Sequence, residues 1–138
     1  MSNFVILKKR KDFLRAARDI TMISKTVMIQ AARPLSEDES KPARFGFTAT
    51  KRLGKAHIRN RVKRRLRAVV RDVCVAHALN NVDYVLVGRF DTADCAYKDL
   101  RRDAAWALKK INKMITEKEN PQPREVAADA QETFSTAD

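Results

Sequence analysis

The chain has 138 residues, 44% of them apolar, which suffices for one modest core and excludes a large enclosed active site. Lys and Arg number 29 against 17 Asp and Glu, giving a formal net charge of +12 and a pI near 10.2. Three glycines and four prolines exclude a low-complexity chain, and Cys74 and Cys95 alone exclude a disulfide framework or a paired metal-ligand spacing.

The N-terminus reads MSNFVILKKRKDF, an apolar run followed by four consecutive basic residues. That order is the reverse of a secretory signal, and no apolar run approaches the ~18 residues of a membrane span. A soluble, cytoplasmic protein is expected. Residues 10–18 predict a short helix with Phe13, Leu14 and Ala17 on one side. Residues 21–23 suit a short extended piece. In residues 25–33, Val27, Ile29 and Ala31 alternate with Met28, Gln30 and Ala32, the pattern of a half-buried strand. A polar loop fills 34–42. In residues 44–50, Phe45, Phe47 and Ala49 alternate with Gly46, Thr48 and Thr50, so one face is apolar and the other small and polar.

Gly54 closes that unit, and a helix should begin near residues 57–59. Val62, Leu66, Val69, Val70 and Val73 recur at helical spacing and cover about 100° of its circumference. Asn60, Arg64, Arg67 and Arg71 fall almost opposite, flanked by Arg61 and Lys63. Residues 83–88 (DYVLVG) predict a buried strand. Leu100, Ala104, Ala107, Leu108, Ile111 and Ile115 then mark an amphipathic helix, with Trp106 off its apolar stripe. The predicted order is α-β-β-β-α-β-α in one α+β domain, a mixed sheet packed by helices.

Charge divides the chain unevenly. Residues 117–138 carry six acids and two bases, so residues 1–116 carry 27 bases and 11 acids, a net +16. The acidic segment, with Pro121 and Pro123 and few large apolar residues, is expected to be disordered. From Lys41 to Arg71 there are twelve bases and no acid. Solvated helix faces normally mix signs, whereas Arg61–Arg65, Lys63–Arg67 and Arg67–Arg71 are like-charged i,i+4 pairs. Arg59 and Arg61 also crowd a helix N-terminus, where the macrodipole disfavours cations. A polyanion partner, nucleic acid, follows from that pattern.

Groups for protein-borne catalysis are thin. His57 sits among cations, and His77 falls near a helix end. No H-E-x-x-H, G-x-x-x-x-G-K-[ST] or G-x-S-x-G motif occurs. The acids gather in the loop at Glu37, Asp38 and Glu39 and near helix ends, a poor basis for a two-metal nuclease site. No catalytic residue and no protein-held metal is expected.

The basic helix has a specific residue order. Ala56-His-Ile-Arg59-Asn60-Arg61-Val62-Lys63-Arg64-Arg65-Leu66-Arg67 closely resembles the signature of the bacterial ribonuclease P protein component. Residues 7–10 (LKKR) with Asp12 and Phe13 resemble that family's N-terminal element. The segment from Arg44 to Ala56 resembles its strand leading into the signature helix. Residues 83–89 and the helix from about Tyr97 are similar to its last strand and helix.

The resemblance implies a protein that assists a catalytic RNA in removing the 5′ leader of precursor tRNA, with Mg²⁺ bound mainly by the RNA subunit. It implies RNA contacts from Lys51, Arg52, Lys55, Arg59, Asn60, Arg61, Lys63, Arg64, Arg67 and Arg71. It also implies a leader-binding cleft involving Phe13, Gln30 and Thr48, with the RNA subunit and precursor tRNA as partners, no membrane and no obligate protein partner. Ala17 stands where the family often has a second cleft aromatic, which implies weaker stacking on the leader. The family fold further implies a left-handed crossover through the basic helix, against the usual right-handed rule. For Phe13 a core role stands beside the leader role, and for Thr48 a solvent-facing strand position. Two other function classes stay open: a ribosomal or RNA-chaperone protein without a reaction, and a stand-alone nuclease or DNA-binding regulator.

Overall fold

Five strands form one mixed sheet in the computed structural model, which describes residues 4–35 and 38–119. Strand β1 (Val5–Ile6) precedes helix α1 (Arg10–Arg18), which is followed by β2 (Ile20–Ile23), β3 (Val27–Ala32) and β4 (Arg44–Thr48). A single 3-10 turn, Lys51–Leu53, leads into α2 (Ala56–Val69). That helix continues through a π-helical turn, Val70–Cys74, and a last turn, Val75–His77. Strand β5 (Asp83–Gly88), a 3-10 turn (Phe90–Thr92) and helix α3 (Tyr97–Glu119) complete the order. Residues 117–119, expected to open the disordered acidic segment, instead continue α3, and the rest of that segment lies outside the described residues. Among those described, no helix is long and apolar enough to cross a membrane.

The strand order is β1-β4-β5-β3-β2. Neighbours β4 and β5 run parallel and are joined through α2, the connection to which the left-handed expectation applies. The β3–β5 and β2–β3 pairs are antiparallel, and β1 lies parallel to β4 with Val5 opposite Arg44. Strand β1 was not predicted. Its two exposed residues are too few to show an alternation, and backbone pairing alone places them.

Period-two alternation divides the sheet into two unequal faces. Ile29, Ala31, Phe45, Tyr84 and Leu86 point to one face and form the main core with α2 and α3. Val62, Leu66, Val69 and Val70 from α2, and Leu100, Ala104, Leu108 and Ile111 from α3, are fully buried there. The approach of α2 is closest at Gly88, where an added Cβ would lie 2.4 Å from Val62 Cγ1. The opposite face holds a small cluster, Leu7, Ala16, Ala32 and Val85, with Phe13 and Val87 packed on it.

Helix α1 is rotated relative to the sequence expectation. Ala16 is its buried residue, while Leu14 and Ala17 are exposed. The rotation is fixed by polar contacts: Arg15 donates to Arg33 O at 2.8 Å and to Asp83 Oδ2 at 3.1 Å. Those bonds draw the Arg15 side towards the sheet end and leave Ala17 on the solvent side. Trp106, off the apolar stripe of α3, is exposed.

Candidate nucleic-acid interface

Helix α2 begins without a side-chain N-cap. Its N-cap, Lys55, makes no capping hydrogen bond, and the first turn contains no acid. The positive end of the helix dipole therefore stands uncompensated beside Lys51, Arg52 and Lys55, all exposed. Gly54 makes the turn into the helix with φ 134°, a conformation that L side chains rarely adopt, and a Cβ there would press on Ile58 Cδ1 at 2.9 Å.

Along α2 the basic side chains fall into three groups. Asn60, Arg64 and Arg71 are exposed on the side away from the core, and Lys63 is half-buried beside them. On one flank, Arg61 Nε donates to Ala93 O at 2.7 Å, and Arg65 donates to Cys95 O and approaches Cys95 Sγ at 3.7 Å. These two arginines clasp the segment that joins β5 to α3. On the other flank, Arg59 Nε donates to Gly54 O at 3.2 Å, and the Arg67 guanidinium lies 5.5 Å from the centre of the Phe47 ring.

Phe47 continues an aromatic chain into the core. Phe4 stands edge-on to both Phe47 and Phe45, with centroids 6.1 and 5.7 Å away, and Phe45 stacks on Tyr84 at 5.4 Å. The Tyr84 hydroxyl donates to Asn112 Oδ1 and accepts from the Leu79 amide. Burial pushes its ionisation well above the usual tyrosine range. A neutral, fixed ring stack thus backs the position of Arg67.

The second region is the lightly covered sheet face. Register places Gln30, Val85 and Gly46 side by side in one cross-strand row and Met28, Val87 and Thr48 in the next. The Phe13 ring lies over Gly46, whose Cβ, if present, would meet Phe13 Cζ at 2.6 Å. Phe13, Gln30 and Thr48 therefore share one face, and all three are half-buried. Neither the Gln30 amide nor the Thr48 hydroxyl forms a hydrogen bond among the described residues, whereas Phe13 also packs on the small core cluster. Lys51 and Arg52 follow the end of β4 within four residues.

The charge pattern separates this molecule from an ordinary basic protein. Six ion pairs occur among the described residues, and none involves the 3-10 turn at Lys51–Leu53 or α2. A family model described as Ribonuclease P matches residues 1–112. The chain belongs to the ribonuclease P protein family.

Relatives support the membership. The ribonuclease P protein component of Gluconacetobacter diazotrophicus is 45% identical over 105 residues, covering 75% of this chain and 88% of that protein. That of Paramagnetospirillum magneticum is 41% identical over 107 residues, covering 76% and 80%. The solved Staphylococcus aureus RNase P protein shares the fold with a TM-score of 0.63 at 23% identity, covering 79% of this chain and 96% of that one. The Thermotoga maritima protein gives 0.63 at 20% identity, covering 75% and 94%. This is a ribonuclease P protein component of bacterial type.

Sequence reasoning about this family member missed two things. Arg44, counted in the acid-free run, is neutralised by a carboxylate 39 residues away: its Nε and a terminal nitrogen reach the two oxygens of Asp83 at 2.8 and 2.7 Å. The hydrogen bond to Asp83 holds the guanidinium above its usual range. Arg65 and Phe47 were also passed over as supports of the basic face. Helical angle placed Arg65 near the apolar stripe, but only the fold shows the carbonyl it reaches.

Proposed function

We propose that this chain is the protein subunit of ribonuclease P, binding the catalytic RNA and the 5′ leader of precursor tRNA and so assisting endonucleolytic removal of the leader. The observation that carries the reading is the face of α2 and its approach, where Lys51, Arg52, Lys55, Lys63, Arg64, Arg67 and Arg71 form no ion pair with any described carboxylate. Cations held in line without internal partners suit the phosphates of a structured RNA. Arg59 and Arg61 combine this role with tying down the helix start and the β5–α3 segment. Asn60 offers an amide for a sugar or base edge between them.

The open sheet face suits single-stranded leader. Phe13 offers a ring, and Gln30 and Thr48 offer polar atoms without internal partners, so contact is tolerant of sequence. A single ring limits stacking to about 1–3 kcal/mol. Mg²⁺ belongs in this reading with the RNA subunit. Among the described residues no three His, Cys, Asp or Glu side chains gather as a metal-holding group. The fixed carboxylates Asp83, Asp19 and Asp103 are taken by arginine or threonine donors. In this reading the chain's own part is binding and positioning.

Reconstitution tests the proposal. The protein is expected to lower the Mg²⁺ needed for precursor tRNA cleavage, and only when the cognate RNA is added. Cleavage by the protein alone would favour a stand-alone nuclease. An RNA whose Mg²⁺ requirement is indifferent to the protein would favour an RNA-binding protein without this role.

A further inference from the structure

The two flanks of α1 differ in kind. Phe13 lies over the open sheet face, while Lys11, Arg15 and Arg18 fall about 140–200° further round the helix at about 100° per residue. On that second flank they line an open cleft of about 510 Å³, closed on the far side by Arg33, Pro34 and Asp19. Four cations and one carboxylate meet there.

The carboxylate is already used. Asp19 accepts from the Arg33 amide at 2.8 Å and from the Arg33 guanidinium. Arg15 gives its terminal nitrogens to Arg33 O and to Asp83, which Arg44 also holds. The Nε groups of Arg15 and Arg33 are buried with no acceptor. Lys11 and Arg18 are exposed and make no ion pair or hydrogen bond among the described residues. Positive charge is left over in a concave site with spare donors.

We propose that this cleft is a second RNA-contact site, which binds a phosphodiester of the RNA backbone through Lys11 and Arg18, with Arg15 and Arg33 supplying the positive floor. It rests on the ribonuclease P subunit reading and extends it to a flank of α1 outside the leader face. Two strands offer the same chemistry: the RNA subunit, and the leader continuing across α1.

The salt dependence of RNA affinity decides the matter. The double variant Lys11→Ala/Arg18→Ala removes two side chains that support nothing internal, and should fold as the parent does. Its slope of log affinity against log salt should fall by about 0.7, the value for one single-strand phosphate contact. Lys109→Ala/Lys110→Ala, two exposed cations on α3, controls for loss of general charge. A fall with the RNA subunit alone assigns the phosphate to that subunit. A fall seen only when the holoenzyme binds precursor tRNA with a leader, and not leaderless tRNA, assigns it to the leader. A change no larger than that of the α3 control with either RNA overturns the proposal. Arg64→Ala/Arg67→Ala, measured in parallel, separates the two readings. If it flattens the slope and the cleft variant does not, the cleft fails and the subunit reading stands; if neither does, the subunit reading fails as well.

Discussion

Arginines at the end of the sheet and arginines on α2 do opposite work with the same side chain. Arg44 and Arg15 converge on Asp83, whose side chain is 6% exposed, and Arg33 closes on Asp19. Each has an acidic partner supplied by a different element. On α2 the partners are carbonyl oxygens, a ring face or nothing among the described residues. The one acid in that continuous helix, Asp72, accepts a hydrogen bond from Tyr97 at 2.6 Å and leaves neighbouring Arg71 unpaired. Charge count alone treats these groups as equal. What separates them is whether a carboxylate has been brought within reach by the fold, and so which cations remain for an external polyanion.

The comparison breaks most visibly at Asp83. Asp83→Ala removes the carboxylate that Arg44 and Arg15 share, leaving Arg44 with Asp12 at 3.6 Å and Arg15 with Arg33 O. It should cost about 3 kcal/mol in urea unfolding, near the low end for a broken buried pair because Arg44 remains 40% exposed. The salt dependence of RNA binding should be unchanged. A shifted slope would place Arg44 among the RNA contacts and erase the distinction. On the other side, Arg64→Ala should alter stability by no more than about 0.5 kcal/mol. Arg67→Ala should cost about 0.5–1 kcal/mol through loss of its position over Phe47. Both should flatten the salt slope by close to one unit per phosphate contact. If either leaves the slope intact, that residue points away from RNA.

The smallest effect concerns Tyr97. Burial first, and then the hydrogen bond to Asp72, push its hydroxyl up to about 12. Because the folded value exceeds the unfolded one near 10, its contribution to stability is complete below pH 10. It is lost as pH rises from about 10 to about 12. A phenolate absorbance titration should show a component near pH 12 that Tyr97→Phe removes, leaving the still later ionisation of Tyr84. A component near pH 10 that Tyr97→Phe removes would mean that Asp72 is not held by Tyr97 and is available to Arg71.

Much of the fold was legible because its signals are local. Alternation in β3 and β4 assigned Ile29, Ala31, Phe45 and Phe47 to one face and Gln30 and Thr48 to the other, as the register shows. The stripe Val62, Leu66, Val69, Val70 and Val73 is buried as its spacing implies, although the π-helical turn at Val70–Cys74 left no mark in that spacing. Other features had no local signal. Strand β1 exists through pairing with a strand some 40 residues away. The rotation of α1 depends on Arg33 O and Asp83, contributed by β5 and the end of β3. The shared face of Phe13, Gln30 and Thr48 needs both the sheet register and α1 lying across it.

The sequence by itself determined the basic helix, its apolar stripe, the ordered Arg59-Asn60-Arg61 motif and the mixed α+β class. Each depends on neighbours within a few turns of the same chain. Only the tertiary structure decided which arginines are spent on Asp83 and Asp19, and which are left beside Phe47 or in the cleft behind α1. An ion pair forms between side chains within about 4 Å of each other in space. Separation along the chain, 39 residues for Arg44 and Asp83, carries no information about that distance until the sheet has formed.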